Sequence, residues 1–256
     1  MKFEKSISVF IPAYNEEENL EETTKEIINF LRKNFKKFEF IIVVNVSTDR
    51  TLEIAKKLEK KYREVRVIEQ KKFVGYGTQL KTGWENAKNE LVFYTDADRQ
   101  FDIHELKNFM NFIDKYDLVI GYRKKRKDPK LRILYSKLFN LTLRFLVGLK
   151  FRDVDCAFKL CKKEVIDKIS PLKEGLGKKE EGIMDALFLL KAQSKKFKIK
   201  ELPVTHKPRM AGTSKAELPN FVGKVKPELI ISLIKDTLNL RRLKNKLNSR
   251  NGKTEK

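Results

Sequence analysis

Five short apolar runs, each ending in a polar loop and separated from the next by a helical pattern, constrain this chain more than any other feature. The runs are Ser6 to Pro12, Phe38 to Val46, Val65 to Ile68, Leu91 to Thr95 and Leu118 to Gly121. Most are apolar on successive residues rather than alternating, as strands buried on both faces are. Between them apolar residues recur at helical spacing: Leu20, Ile27, Ile28, Leu31 and Phe35, then Ala55, Leu58 and Tyr62, then Leu80, Trp84 and Ala87, then Leu106 to Ile113. Alternating strands and helices predict a mostly parallel sheet with right-handed crossovers and helices on both faces. Such sheets bind ligands at the carboxyl ends of their strands. The polar loops fall at those ends.

Beyond Gly121 the pattern changes. A basic loop, Arg123 to Lys130, precedes a long helix over Leu131 to Gly148. A strand (Ala157 to Leu160), a helix (Ile183 to Lys195) and a last strand (Lys198 to Val204) follow. From Glu217 the chain reads as a helical tail with a polar, disordered end. The expected organisation is one large α/β domain over 1–215 and an amphipathic, membrane-associating tail over 216–256. A length of 256 residues with eighteen Phe supports one sizeable core. The net charge of +22 calls for a polyanionic partner or surface, or reflects a Lys-rich background. The lysines are spread along the chain, so no specific nucleic-acid partner is expected. Cys156 and Cys161 read as reduced, buried thiols, and His104 and His206 lie too far apart in sequence to suggest zinc. No apolar run approaches the ~18 residues that span a bilayer, and the N-terminus lacks a signal-peptide core. The expected location is cytoplasmic, on the membrane surface.

Four segments carry chemistry. Pro12 to Asn19 (PAYNEEEN) ends the first strand where a Gly-rich dinucleotide loop would stand, and by itself reads as a loop with an acidic first helical turn. Asp96-Ala97-Asp98 follows the fourth strand. Two carboxylates one residue apart repel unless a cation lies between them, and a divalent ion with oxygen ligands fits, with Gln100 as a further oxygen. Arg132, Ser136, Asn140 and Arg144 recur every fourth residue along an otherwise apolar helix. That helix is either a core helix with one wet edge or an interfacial helix with its Arg and Ser facing phosphate. His206 to Lys215 (HKPRMAGTSK) is a basic loop after the last strand, either a lid over a diphosphate or a plain surface loop.

In order and spacing, PAYNEEENL, STDRT, GYGTQLKTGWENAKNE, YTDADRQFD, VIGYR with RILYSKLFN, DVDCAFKL and RMAGTSK resemble the family 2 glycosyltransferases of GT-A fold. Within them the resemblance is to the dolichyl-phosphate mannose synthase group and its polyprenyl-phosphate relatives. It implies an α/β, Rossmann-like GT-A domain with C-terminal amphipathic helices. It implies an inverting transfer of a hexose, mannose or glucose, from a GDP- or UDP-linked donor to dolichyl or polyprenyl phosphate. Pro12, Tyr14 and Glu16 would line the nucleotide pocket. Asp96, Asp98 and Gln100 would hold Mg²⁺ or Mn²⁺ on the diphosphate, with Ala97 between the carboxylates. Arg123, Arg132 and Ser136 would bind the acceptor phosphate, Arg209 and Lys215 would reach the donor phosphates, and Asp153 would orient the acceptor.

One departure stands out. The family usually ends its second strand in two aspartates and a glycine, one of which reads the base; here Val44, Asn45 and Val46 stand instead. Asn45 would take that place in the nucleotide-sugar pocket, keeping hydrogen-bonding capacity without the acidic contact. Two rival readings remain. A hydroxyl acceptor would require a general base, Asp153 or Asp185, and a basic nucleic-acid-binding protein would account for the charge alone.

Overall fold

The computed structural model describes residues 2–128, 130–172, 183–209, 211, 235, 237–247 and 249. Seven strands form one sheet: β1 (Ile7–Ala13), β2 (Phe38–Val44), β3 (Val65–Glu69), β4 (Leu91–Thr95), β5 (Leu118–Arg123), β6 (Phe158–Lys162) and β7 (Ile199–Val204). Their spatial order is β3-β2-β1-β4-β6-β5-β7. All neighbours are parallel except β6, which runs antiparallel to both β4 and β5. The chain steps outward from β1 to β3, then jumps back to place β4 on the other side of β1. That reversal opens a crevice above the carboxyl ends of β1 and β4.

Helices cover both faces. One core joins β-strand side chains such as Ile11, Phe40 and Phe93 to α1 (Leu20–Asn34), α2 (Thr51–Lys61) and α4 (Leu106–Met110). The other packs α3 (Tyr76–Asn86), α5 (Lys130–Thr142), α6 (Lys163–Ile169) and α7 (Met184–Ser194) against the opposite face. Here Trp84 stacks on Phe188 with centroids 4.5 Å apart and meets Tyr94 edge-on. The fit between α3 and β1 is close enough to require glycine. A Cβ on Gly83 would lie 2.2 Å from the Phe10 ring.

Local differences from the sequence expectation have physical causes. The acidic run reads as a first helical turn, yet the first helix begins only at Leu20: Asn15 adopts φ 51° and Glu16 turns inward to 7 % exposure. The long helix is α5 to Thr142, then a π turn over Leu143–Val147 closed by Gly148 at φ 79°. Within the tail, 237–247 is helical; Leu240 is fully buried, and Leu243 and Leu247 pack on the α7-side core. That face of the tail is therefore spent on the protein, while Leu238 is exposed. The other tail residues with apolar side chains, Leu229, Ile230, Leu233 and Ile234, lie outside the described residues. No helix among the described residues is long and apolar enough to cross a membrane.

Candidate active site

The donor side is built on the ends of β1, β2 and β3. Pro12 is a buried β1 residue paired with Val43 of β2. The β1–β4 pairing stops at Phe10, so the missing N–H of Pro12 falls where the ladder opens into the crevice. Tyr14, just past β1, meets Phe73 edge-on at 5.3 Å. Glu16 accepts from Asn19 Nδ2 at 2.8 Å and from Arg209, and its backbone N–H donates to Thr51 Oγ1. Burial raises the Glu16 pKa despite these donors. Asn45 is turned inward. Its Nδ2 donates to the Val74 carbonyl, and its Oδ1 accepts from the N–H groups of Val74 and Val46, both at 3.0 Å.

At the end of β4 the carboxylates of Asp96 and Asp98 flank the buried Ala97, whose carbonyl accepts from Thr23 Oγ1 of α1 at 2.9 Å. Arg99 takes φ 61°, which lets Asp98 Oδ1 accept from the Gln100 N–H. Tyr76 donates its hydroxyl to Asp96 Oδ1 at 2.9 Å. Burial, then the neighbouring Asp98, pushes the Asp96 carboxyl up to about 7, and burial also raises Asp98. A pair of hard oxygen donors that resists double ionisation fits a divalent cation, whose charge would replace the proton. Gln100 is tied to the segment after β7: its Nε2 donates to the Lys207 carbonyl at 3.0 Å, and its own carbonyl accepts from the Lys207 N–H at 2.7 Å. Further along that segment Arg209 reaches Asp98 Oδ2 at 3.2 Å as well as Glu16. Lys215 lies outside the described residues.

The acceptor side is built from β5, α5 and the loop that enters β6. Because β6 is antiparallel, the residues before it emerge at the same edge as the ends of β4 and β5. This brings Asp153 to Arg123, which it grips at both oxygens: Arg123 Nε and Nη2 each donate at 2.6 Å. Both side chains are under 10 % exposed. The arginine holds the Asp153 carboxyl below the usual carboxylate range against the effect of burial. Arg132 pairs with Asp128 at 3.4 Å. Ser136 is buried and accepts from Arg126 Nη1 at 2.6 Å; Arg126 also donates to Asp128 at 2.8 Å and approaches Asp153 at 4.0 Å. Arg126 and Asp128 were invisible in the sequence, where they sit in a basic loop that reads as solvated. His206, buried beside Phe101, accepts from the Lys127 N–H at 3.4 Å and is pushed down to about 4, chiefly by burial.

Beneath both halves lies a buried network. Lys159 of β6 donates to Asp185 of α7 at 2.8 Å, to Tyr94 Oη at 3.0 Å and to the Cys156 carbonyl at 2.6 Å, and Tyr94 donates to Asp185. Asp155, partly buried, is pushed up to about 7 by burial and by Asp185 and Asp153. The arrangement thus sets a carboxylate pair suited to a cation beside an arginine cluster suited to an anion.

A central sheet of this order, with its polar groups gathered at one carboxyl edge, is GT-A-like. Among solved structures, glucosyl-3-phosphoglycerate synthase of Mycobacterium tuberculosis, in complex with Mn²⁺, UDP and glucosyl-3-phosphoglycerate, is similar with a TM-score of 0.64. It is 17 % identical, over 93 % of this chain and 80 % of that one. The model of glycosyl transferase family 2 matches residues 8–170, and the chain belongs to that family. The undecaprenyl-phosphate 4-deoxy-4-formamido-L-arabinose transferase of Edwardsiella ictaluri is 27 % identical over 85 % of this chain and 65 % of its own length. The dolichyl-phosphate beta-glucosyltransferase ALG5A of Trichomonas vaginalis is 29 % identical over 62 % of this chain and 53 % of its own. The chain therefore spans between half and two thirds of the length of these curated relatives.

Proposed function

We propose that the chain transfers a hexose, mannose or glucose, from a GDP- or UDP-linked donor to the phosphate of a dolichyl or polyprenyl lipid, with inversion. The observation that carries this reading is the cluster of Arg123, Arg126, Arg132 and Ser136, near enough to the Asp96/Asp98 pair for Arg123 to act electrostatically on Asp96 and Arg132 on Asp98. Three guanidinium groups gathered through Asp153 and Asp128, one of them donating to the Ser136 hydroxyl, suit a phosphate rather than a sugar hydroxyl. The names of the relatives, which include undecaprenyl-phosphate and dolichyl-phosphate transferases, support it.

The chemistry follows from the charges. A phosphate monoester is largely dianionic near neutral pH, with a second pKa of ~6. Its oxygen attacks without a base, so the protein has only to position it and screen its charge. Asp153 is committed to Arg123, and Asp185 to Lys159 and Tyr94, which suits an acceptor that needs no proton removed. Mg²⁺ or Mn²⁺, held by Asp96 and Asp98 with Gln100 nearby, would neutralise the departing nucleoside diphosphate. Arg209 adds a positive charge on the same side. Direct displacement on the face opposite the leaving group gives inversion.

The lipid acceptor brings the enzyme to a membrane, and we assign it to the cytoplasmic face. Leu134, Leu138, Leu141 and Phe145 form one exposed stripe on α5 and its π turn, Phe145 at 76 % exposure. The stripe runs along the same helix that carries Arg132 and Ser136. An apolar stripe beside Lys130, Lys137 and Arg144 suits the headgroup level of an anionic bilayer.

One observation favours a second reading. Asp155, partly buried in the loop that enters β6 two residues after Asp153, is pushed up to about 7 by burial and would serve as a general base toward a hydroxyl acceptor. Incubation with GDP-mannose or UDP-glucose and either polyprenyl phosphate or the matching free alcohol separates the two. Transfer to the phosphate alone, abolished by EDTA and restored by Mn²⁺, is expected. Transfer to the alcohol alone would overturn the phosphate reading.

A further inference from the structure

Strands β3, β2 and β1 lie side by side, and each carries its chain into the same edge of the site. Past β1 stands Tyr14, past β2 stand Asn45 and Val46, and the link from β3 to α3 carries Phe73 and Val74. Phe73 is 64 % exposed and Val46 44 % exposed, on the segments that follow these neighbouring strands. Phe73 is not an unattended side chain on a loose loop. The Asn45 amide pairs with both backbone polar groups of Val74, as a neighbouring strand would, and Gln70 N–H donates to the Val44 carbonyl just before it. These bonds fix the backbone on both sides of Phe73 and turn its ring outward beside Tyr14.

The same bonds exhaust Asn45 as an acceptor. An amide oxygen has two lone pairs, and here they take the N–H groups of Val74 and Val46. Guanine and uracil each present a ring N–H donor on the Watson–Crick edge, and reading it takes an acceptor. Val44 and Val46 offer no side-chain acceptor. The carboxylate of the β2–α2 loop, Asp49, is bound to Thr51 through one oxygen and to the Glu17 N–H through the other. The aromatic and apolar side chains that these segments offer are Tyr14, Phe73 and Val46.

The geometry points to a nucleobase platform of Phe73 and Tyr14 with Val46. It holds the donor by stacking alone and so accepts purine and pyrimidine nucleoside diphosphates alike. Asn45 is a positioning residue that presents the platform without touching the base. This rests on the nucleotide-sugar reading given above and adds which part of the donor the chain does not read. Stacking on an aromatic side chain is tolerant of base identity, because every base has a π face.

The test is calorimetric binding of GDP, UDP, ADP and inorganic pyrophosphate, each with Mn²⁺, to the full chain. The three nucleotides are expected to bind within about tenfold of one another and more tightly than pyrophosphate. Phe73→Ala should weaken all three by about tenfold or more, roughly 1.4 kcal/mol, and leave pyrophosphate unchanged; Phe73→Trp should restore them. Asn45→Asp keeps both acceptor bonds but loses the donor to Val74, so it should weaken the three nucleotides together without favouring one. A preference above about a hundredfold for one base overturns the platform, as does a Phe73→Ala chain with unchanged nucleotide affinity. So does an Asn45→Asp chain that gains a preference of more than about tenfold. If neither pyrophosphate nor any nucleotide binds the folded wild type, the nucleotide-sugar reading falls and the platform with it.

Discussion

Replacing Arg209 by glutamine should change two affinities in opposite directions. The Arg209 guanidinium lies between Glu16 and Asp98, at 3.2 Å from the latter, and the three side chains are 16 %, 8 % and 11 % exposed. It occupies the electrostatic place of a cation at a carboxylate that a divalent ion would use. Two unit charges about 4 Å apart interact by roughly 4 kcal/mol at an effective dielectric of 20, and the cost of desolvating the pair offsets most of that. A residual competition of about 1.4 kcal/mol corresponds to tenfold in binding. Without nucleotide, Arg209→Gln should therefore bind Mn²⁺ about tenfold more tightly than the wild type. With a nucleoside diphosphate present the same substitution removes a charge-assisted hydrogen bond to phosphate, worth ~1.5–3 kcal/mol, and nucleotide affinity should fall by tenfold or more. Free Mn²⁺ measured by electron paramagnetic resonance gives the first affinity, and calorimetry at saturating Mn²⁺ gives the second. Unchanged or weaker Mn²⁺ binding by the nucleotide-free variant would refute the competition.

Four other outcomes follow from the site. Asp96, pushed up to about 7, must lose its proton to a bound cation, so Mn²⁺ affinity should rise with pH up to about 7 and level off above it; a flat profile from pH 5.5 to 8.5 would count against Asp96 as a ligand. Lys159→Met leaves Asp185 buried without its cation and should cost about 3–5 kcal/mol in urea unfolding, most of it recovered in Lys159→Met with Asp185→Leu. His206 has a folded pKa of about 4, below the unfolded ~6.5, so the unfolded chain takes up the proton first. Stability should fall by about 3 kcal/mol between pH 6.5 and 4 and no further from this group below that, a slope that His206→Gln should remove. Paired Leu138→Glu and Phe145→Glu changes should reduce flotation with anionic liposomes at least tenfold while leaving nucleotide binding intact; undiminished flotation would remove α5 as the lipid contact.

The layered sheet was legible because a strand buried on both faces must be apolar on both, and β1, β2 and β4 are. Direction was not legible. The run around Phe158 to Leu160 looks the same whichever way it points, yet its antiparallel course is what delivers Asp153 to Arg123. The α6 helix escaped because seven residues, Lys163 to Ile169, give two turns and little periodicity. Asp96 and Asp98 announced themselves through like-charge spacing. Lys159 did not, since a lysine in sequence reads as solvated, and only the fold places it against Asp185 and Tyr94. Asn45 keeps its hydrogen-bonding capacity in sequence, but spacing cannot reveal that both lone pairs of its Oδ1 are filled by backbone N–H groups.

The charge of the chain and the charge of its site are separate matters. The excess of +22 comes largely from lysines along the whole sequence. Most of the surface ion pairs they make are exposed ones such as Lys57 with Glu53, worth little individually. In the site, by contrast, the arginines are held by carboxylates: Arg123 by Asp153, Arg126 and Arg132 by Asp128, and Arg209 by Glu16 and Asp98. A guanidinium already oriented by a buried carboxylate loses little freedom when a phosphate arrives, and its partner limits the self-repulsion of three neighbouring cations. The dispersed lysines can draw a chain toward an anionic surface, with a strength that salt reduces. The paired arginines set where on the protein a phosphate can rest, and that preference should persist at salt concentrations that abolish the attraction.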